Sequence, residues 1–425
     1  MLRAMSISNL WLKPALFLGC LGLTTTLLGA ELPVAKPESV GMSAEKLHQV
    51  DKVVEDLIAQ KRLAGAIVAV TRQGKVVYNK SFGKMDIEAD KAMRQDAILR
   101  IYSMSKGITT AAALMLHDDG KIGLDDPISK YIPEFKGVKV WKEGGSEPAK
   151  REPTVRDLMR HTAGLTYGGI GNAEADKLFK AANLGDKGQT LEEFAAKMGK
   201  LPLKYEPGTE WMYSFATDIL GRVVEVASGK SFDVFLQERI FKPLDMKDTG
   251  FHVPAEKLER LATVYNSDGK GTLKPVDVPA TSSYRTKPNM LSGGGGLVST
   301  TRDYLRFLQM VANGGTLDGK RLLKKETVKL MTHNEVPEVA MPIRFGKEMR
   351  EGVGFGLGFN VRVATSEKWD PAGPVGEWGW GGMASTHYWA SPKDDLVVVT
   401  MEQTLPYSFM LEWAVKKPIY DAIVK

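Results

Sequence analysis

Ser103-Met104-Ser105-Lys106 places a hydroxyl and an amine three residues apart. On a helix, positions i and i+3 share a face and lie about 4.5 Å apart along the axis, so a nucleophile would stand beside a base. The spacing alone is not selective, because Ser43 and Lys46, and Ser81 and Lys84, repeat it. Local pattern separates the three pairs. Ser43 precedes an amphipathic run of Leu47, Val50, Val53, Val54, Leu57 and Ile58, so it reads as a helix N-cap with Lys46 solvated in the first turn. Ser81 lies in a strand-like run over 75–82, where i and i+3 point to opposite faces. Ser103 is followed by Ile108, Ala111, Ala112, Ala113, Leu114, Met115 and Leu116, apolar nearly all round, a pattern that belongs in a core. A lysine in the first turn of such a helix is partly desolvated and close to the positive end of the helix dipole. Both effects predict the neutral amine, the form that accepts a proton. The competing reading has Ser103 as a plain N-cap and Lys106 reaching out to solvent.

Two further constellations carry polar chemistry. Trp211-Met212-Tyr213-Ser214-Phe215-Ala216-Thr217-Asp218 follows the turn Pro207-Gly208. Tyr213 falls on the connection just before a predicted helix, where a polar group can be aimed into a cleft. A phenol near a lysine ionises more easily, so Tyr213 suits a base or proton relay; its plain reading is a half-buried tyrosine with a surface hydroxyl. Asp218 reads as a first-turn charge or a structural hydrogen-bond acceptor. The third stretch is Trp378-Gly379-Trp380-Gly381-Gly382-Met383-Ala384-Ser385-Thr386. Paired glycines ahead of a strand allow close approach by another backbone or a ligand. A substrate carbonyl resting there against a main-chain N–H, with the N–H of Ser103, would have a two-donor oxyanion hole. The tryptophans either pack the core or wall an acyl pocket.

These groups need elements to hold them. An amphipathic helix over about 43–61 leads into an apolar run over 64–71, a turn at Gln73-Gly74 and a second strand from Lys75. The Ser103 helix closes at Asp118-Asp119-Gly120, with Gly120 as its C-cap. Helical patterns occupy 155–159, 191–198, 215–227 and 232–240, and another helix follows 296–303. Strand-like runs return at 358–363, 387–390 and 396–401, and a last helix covers about 409–423. Strands at both ends with helices between predict an α/β (α+β) chain, with one sheet assembled from both termini and a mainly helical region inserted.

Residues 1–30 read as a secretory signal peptide. Arg3 and Lys13 supply positive charge, no acidic residue precedes Glu31, and an apolar stretch over 15–28 ends at Gly29-Ala30, although Leu28 stands where a small residue is preferred. An uncleaved anchor is the other reading. Cys20, the one cysteine, reads as part of the apolar run rather than a lipid attachment site, because the run continues well past it. Cleavage at Ala30 leaves a mature chain without cysteine, which excludes disulfides, a thiolate nucleophile and thiolate metal ligands. The expectation is export to the periplasm or medium, with residues 31–425 as one catalytic domain and no stable membrane span after processing. Its α/β part would be about 31–100 and 290–425, its helical part about 101–289. The formal charge falls from +6 to +4 when Arg3 and Lys13 are removed, and no Lys/Arg run interleaves with aromatics, so nucleic acid is not an expected partner.

The three motifs, in this order, resemble the serine β-lactamase and penicillin-binding superfamily, most nearly its family VIII carboxylesterases. Asp125-Asp126-Pro127-Ile128-Ser129-Lys130-Tyr131-Ile132-Pro133, the run from Thr154-Val155-Arg156-Asp157 to Arg160-His161-Thr162-Ala163-Gly164-Leu165, and Gly293-Gly294-Gly295-Gly296-Leu297 also look like stretches of that family. The resemblance implies a β-lactamase/DD-peptidase-like fold, Ser103 as acylated nucleophile, and Lys106 and Tyr213 as managers of its proton, titrating as a coupled pair. It puts Trp380-Gly381-Gly382 at the triad that reads K-T-G in β-lactamases, and makes the N–H of Met383 the second oxyanion donor. Two departures matter. Where β-lactamases read Y-x-N, this chain has Tyr213-Ser214-Phe215, and where K-T-G offers a cation and a hydroxyl, it offers Trp380 and Gly381. Losing a cation–carboxylate contact and an amide hydrogen bond counts against efficient β-lactam hydrolysis. Ester cleavage needs only the nucleophile, relay, oxyanion hole and an apolar pocket.

Other signals exclude more than they suggest. G-x-S-x-G and H-E-x-x-H are absent and the six histidines are dispersed, so neither a metal nor another cofactor is expected. His161 reads as a structural hydrogen-bonding residue. Residues 314–320 nearly match a phosphate loop, but Arg321 stands where Ser or Thr is required, so the segment reads as a turn. The expected activity is hydrolysis of small carboxylic esters of short acyl groups through a Ser103 acyl-enzyme. The rivals in the same chemistry are a β-lactamase, a D-Ala-D-Ala peptidase, an amide hydrolase and an acyl transferase. A penicillin-binding-type sensor that never turns over is the rival from another class.

Overall fold

The computed structural model describes residues 31–186 and 188–424. The chain divides into Met1–Glu31 and Leu32–Lys425, and only the second unit is described below. The signal-like segment and Cys20 lie outside the described residues.

Strand β1 (Gly65–Arg72) is buried along its whole length, and period two splits its side chains between two cores. Ala66, Val68 and Val70 meet Leu47, Val50 and Val54 of helix α1 (Ala44–Ala59), together with Leu411, Val415 and Ile419 of the last helix. Ile67 and Ala69 face the larger core on the other side. That core contains helix α2 (Ser105–Asp118), whose residues 105–116 are all buried, as its all-round apolar pattern requires. Beside α2 packs α3 (Ala216–Ser228), and α4 (Thr301–Ala312) packs on the strand Leu396–Glu402.

The sheet has eight strands, all antiparallel to their neighbours. In chain order, β1 is followed by β2 (Lys75–Asp86), β3 (Lys91–Ala92), β4 (Val353–Phe355), β5 (Asn360–Arg362), β6 (Trp378–Gly382), β7 (Thr386–Ser391) and β8 (Leu396–Glu402). In space the order is β4-β5-β6-β7-β8-β1-β2-β3, so β8 from the C-terminal part pairs directly with β1. One sheet is thus built from both ends of the chain, with the helices of 105–312 between them. The final helix, α5 (Met410–Asp421), is tied down by a buried ion cluster. Its Lys416 Nζ lies 2.7 Å from Asp370, 2.8 Å from Glu377 and 2.9 Å from Glu412, and Glu377 immediately precedes β6.

Local signals hold at most boundaries. Ser43 caps α1, its side chain accepting the Lys46 N–H at 3.3 Å. Gly120 takes φ +74 just past α2, and Thr316–Leu317 with Lys320–Arg321 form a hairpin where a turn is expected. Two boundaries differ. The helix expected over 232–240 is Phe232–Leu236 followed by a π-helical turn, Gln237–Phe241, in which Ile240 and Phe241 are both buried. The paired glycines Gly381 and Gly382 do precede a strand, β7, but they also close β6 themselves, so they lie in the sheet rather than on a connection ahead of it.

Glu402, at the end of β8, is buried, and burial pushes its carboxyl from 4.5 up to about 8. Between those two values the folded chain holds a proton that the unfolded chain lacks. The resulting stability is fully present below about pH 4.5 and is lost as pH rises through about 8. Glu402→Gln removes the titration. Urea unfolding at pH 5 and pH 8.5 should show wild type losing on the order of a few kcal/mol across that range and the variant losing clearly less. Equal losses would sink the assignment.

Candidate active site

Ser103 stands on a short 3-10 turn, Tyr102–Met104, not on the helix proper. Tyr102 takes φ +42, a left-handed conformation uncommon for a non-glycine residue, and the chain then enters α2 at Ser105. The N-cap of α2 is Met104, with no side-chain cap bond, so the Ser103 hydroxyl is not occupied in capping. The plain N-cap reading therefore gives way: the helix starts one residue later than a Ser103 cap would set it, and Ser103 is half-buried on the turn that precedes it.

Lys106 does not reach out to solvent. It is 1% exposed, and its Nζ donates to Ser103 Oγ at 3.3 Å and to the Gly294 carbonyl at 2.5 Å. The glycine run supplies that carbonyl. A Cβ on Gly294 would sit 2.4 Å from Asp218 Oδ2, and one on Gly293 would sit 2.7 Å from the Thr217 carbonyl, so side chains would push this loop off α3. Asp218 fastens the loop, accepting from Ser292 Oγ at 2.5 Å and the Gly294 N–H at 3.1 Å. It combines both roles expected of it, a first-turn residue of α3 and a structural acceptor.

The expected neutral amine is corrected here. Burial does favour it, but the phenols of Tyr167 and Tyr213 and the carboxylate of Asp218 outweigh burial and hold Lys106 above its ordinary value. At neutral pH the side chain is an ammonium, a donor to Ser103 rather than a resting acceptor. The helix-based argument considered α2 alone and could not see the groups that α3 and the following loops bring to the same spot.

Tyr213 lies on the connection before α3, as the sequence suggests, with its ring centroid 4.6 Å from Lys106 Nζ. Its hydroxyl accepts the Trp380 indole N–H at 3.3 Å. Trp380, at the triad position on β6, thus points a donor at Tyr213. Beyond Gly379, β6 loses its β5 partner, since only Trp378 and Gly379 are paired on that side. Gly382 lies against the turn that carries Ser103: a Cβ there would be 2.3 Å from the Ile101 carbonyl oxygen. Met383 follows and is exposed. Phe215 is half-buried and reaches the cluster through Tyr167, its ring centroid 4.6 Å from that ring and 5.1 Å from Phe194.

Two residues were misjudged or missed. The His161 imidazole is buried among the rings of Trp211, Tyr213 and Phe355, and its Nδ1 has no hydrogen-bond partner among the described residues. Its backbone carbonyl, not its ring, makes the structural bond, accepting the Met212 N–H at 2.9 Å. Burial and the nearby Lys106 push the imidazole well below its usual value, so it is neutral. Tyr167 was not singled out. The residue is 41% exposed, and its ring lies 5.3 Å from the Tyr213 ring and 5.7 Å from Lys106 Nζ. The signal available was its place two residues after Leu165, at the end of a recognised stretch.

A family model described as Beta-lactamase matches residues 50–414. The chain belongs to the β-lactamase family. Protein Rv1367c of Mycobacterium tuberculosis is 34% identical over 352 residues, covering 81% of this chain and 86% of that protein. Esterase EstB of Burkholderia gladioli is 31% identical over 377 residues, covering 83% of this chain and 89% of the esterase. Among solved structures, EstCE1, described as a hydrolase with promiscuous acyltransferase activity, superposes with a TM-score of 0.72 at 26% identity, covering 88% of this chain and 99% of EstCE1. The fold is the β-lactamase/DD-peptidase type, and the relatives of this chain include esterases.

Proposed function

We propose that the protein is an exported serine hydrolase that cleaves carboxylic esters of short acyl groups, with residues 31–425 as one catalytic domain and Ser103 as the acylated nucleophile. The observation that carries this is the contact of Ser103 Oγ with the buried Lys106 ammonium at 3.3 Å, above a Tyr213 whose hydroxyl accepts from Trp380. Export rests on the composition of residues 1–30.

In this reading Ser103 Oγ attacks the ester carbonyl carbon and its proton passes to the Lys106–Tyr213 pair. To take that proton the Lys106–Tyr213 pair starts one proton short of ammonium plus phenol, accepts the Ser103 proton as a unit, and ends as ammonium and phenol, ready to give one proton back. The backbone N–H groups of Ser103 and Met383 receive the carbonyl oxygen as its charge develops, an arrangement favoured by the close approach of Gly382 to Ile101. The C–O bond to the alcohol then breaks, and the alkoxide takes the proton from the pair. Water attacks the acyl-enzyme by the reverse path. Trp380, Gly381, Gly382 and Phe215 line the substrate's place.

Trp380 in place of a lysine also bears on the rivals. Its N–H is spent on Tyr213, so the triad position offers a β-lactam carboxylate no cation. The test is steady-state hydrolysis of p-nitrophenyl acetate and butyrate beside nitrocefin, using the mature chain. Ester turnover is expected to exceed nitrocefin turnover by about 10²-fold in kcat/KM, the equivalent of the missing charge-assisted contact. Comparable nitrocefin turnover would move the assignment to a β-lactamase.

A further inference from the structure

A small hairpin outside the main sheet reaches the same cluster. Arg344–Phe345 pairs with Glu348–Met349, with Phe345 opposite Glu348 and Gly346 at φ +64 in the turn. Opposite residues share a face, so Phe345 and Glu348 point one way and Arg344 and Met349 the other. The Phe345 ring lies 4.7 Å from the Tyr213 ring and 6.3 Å from that of Trp211. Next along the chain, Arg350 is only 3% exposed. Its guanidinium lies 4.8 Å from the Phe345 ring centroid and 5.3 Å from that of Trp380, and its Nε contacts Glu348 at 3.4 Å. Phe345 is therefore held between Tyr213 and Arg350, yet 36% of it stays open at the mouth. A cation buried under aromatic rings stiffens this wall without offering a free charge to a substrate.

We infer that Phe345 is a specificity-determining residue, the wall against which the alcohol part of the ester lies, and that the site prefers esters of apolar, ring-bearing alcohols. The inference rests on the proposed Ser103 chemistry and follows from where the proton must go. As Ser103 Oγ bonds to the carbonyl carbon and the ester C–O bond breaks, the departing oxygen collects the proton that left Ser103, which requires it within hydrogen-bond reach of Tyr213. The carbon skeleton on that oxygen then lies against whatever flanks Tyr213. The flanking rings with open surface are Phe345 and Tyr167; Trp211, Trp380 and His161 are buried. Two partly exposed aromatic faces favour a flat or ring-bearing apolar group over a small polar one. The acyl group stays on Ser103 after the alcohol departs, so Phe345 acts on acylation by alcohol identity and not on acyl-chain selectivity.

The test compares the mature wild type with Phe345→Ala and Phe345→Leu on two substrate series. One series holds acetate constant and varies the alcohol: ethyl, cyclohexyl and 2-phenylethyl acetate. The other holds ethanol constant and varies the acyl chain: ethyl acetate, butyrate and hexanoate. Wild type is expected to prefer 2-phenylethyl over ethyl acetate by about tenfold in kcat/KM, the scale of a few buried methylenes. Phe345→Ala should remove most of that preference and Phe345→Leu part of it, while the acyl-series ratios stay within about twofold in all three proteins. An alcohol preference unchanged by either variant, or acyl ratios that shift equally, overturns the inference. Should the alanine variant fail to fold, the leucine variant and the wild-type preference still decide it. Absence of any Ser103-dependent ester turnover in wild type would instead overturn the proposed function itself, so the two failures are distinguishable.

Discussion

Ser103→Ala is expected to lower kcat/KM for p-nitrophenyl acetate by about 10⁴-fold or more and to abolish labelling by a fluorophosphonate probe. The physical ground is local. Ser103 is half-buried at the cleft, free of capping duty, and bonded to the one buried amine of α2. Removing its oxygen takes away the bond-forming atom and leaves Lys106 its contact with Gly294. The variant should therefore unfold at nearly the wild-type temperature, within about 1 kcal/mol of stability. Retained turnover or labelling would mean that another residue is the nucleophile. The same probe separates an enzyme from a sensor. A labelled wild type that turns over added ester before labelling is a hydrolase, whereas one that labels once and never turns over ester is a sensor.

Tyr213→Phe should cost about 10²- to 10⁴-fold in kcat, the range for a positioned acid–base group. Phenylalanine keeps the ring contacts with Lys106, Tyr167, Trp211, Phe345 and Trp380, so the packing survives. What it removes is the hydroxyl that accepts from Trp380, leaving that indole N–H without its partner at a cost of about 1–3 kcal/mol. Stopped-flow measurement of acylation against the final product rate should show acylation slowed and KM little changed. A variant with near wild-type acylation would assign the proton transfer to Lys106 and leave Tyr213 a structural role. Because Lys106 is an ammonium in the resting site, the Lys106–Tyr213 pair has to be read as a unit when the pH profile is interpreted.

Much of the architecture was legible because it is written in short-range periodicity. The continuous apolar run of β1, the all-round apolar α2 and the amphipathic α1 each declare which faces must be buried, and a strand apolar on both faces requires a sheet covered on both sides. The Ser43 cap and the Gly120 C-cap follow from the unsatisfied N–H groups of a helix start and the left-handed turn at its end. The half-turn between Ser103 and Ser105 was not legible. A 3-10 turn and an α-helix share the same apolar spacing over so few residues, and only Tyr102 at φ +42 distinguishes them.

The candidate site divides along the same line. Residue type and spacing by themselves set a serine and a lysine at the start of a buried helix, a tyrosine on a later connecting loop and paired glycines ahead of a late strand; the resemblance to the family joined them into one site. The tertiary structure decided what those groups are chemically. It made Lys106 an ammonium by bringing up Asp218, Tyr167 and Tyr213, gave it the Gly294 carbonyl as a second acceptor, and turned the Trp380 N–H toward Tyr213. It also laid Phe345 on the mouth from a hairpin with no link to the motifs in the chain. Protonation and specificity depend on partners far apart in sequence, and the Coulomb and packing terms that set them act through space, so no local pattern encodes them.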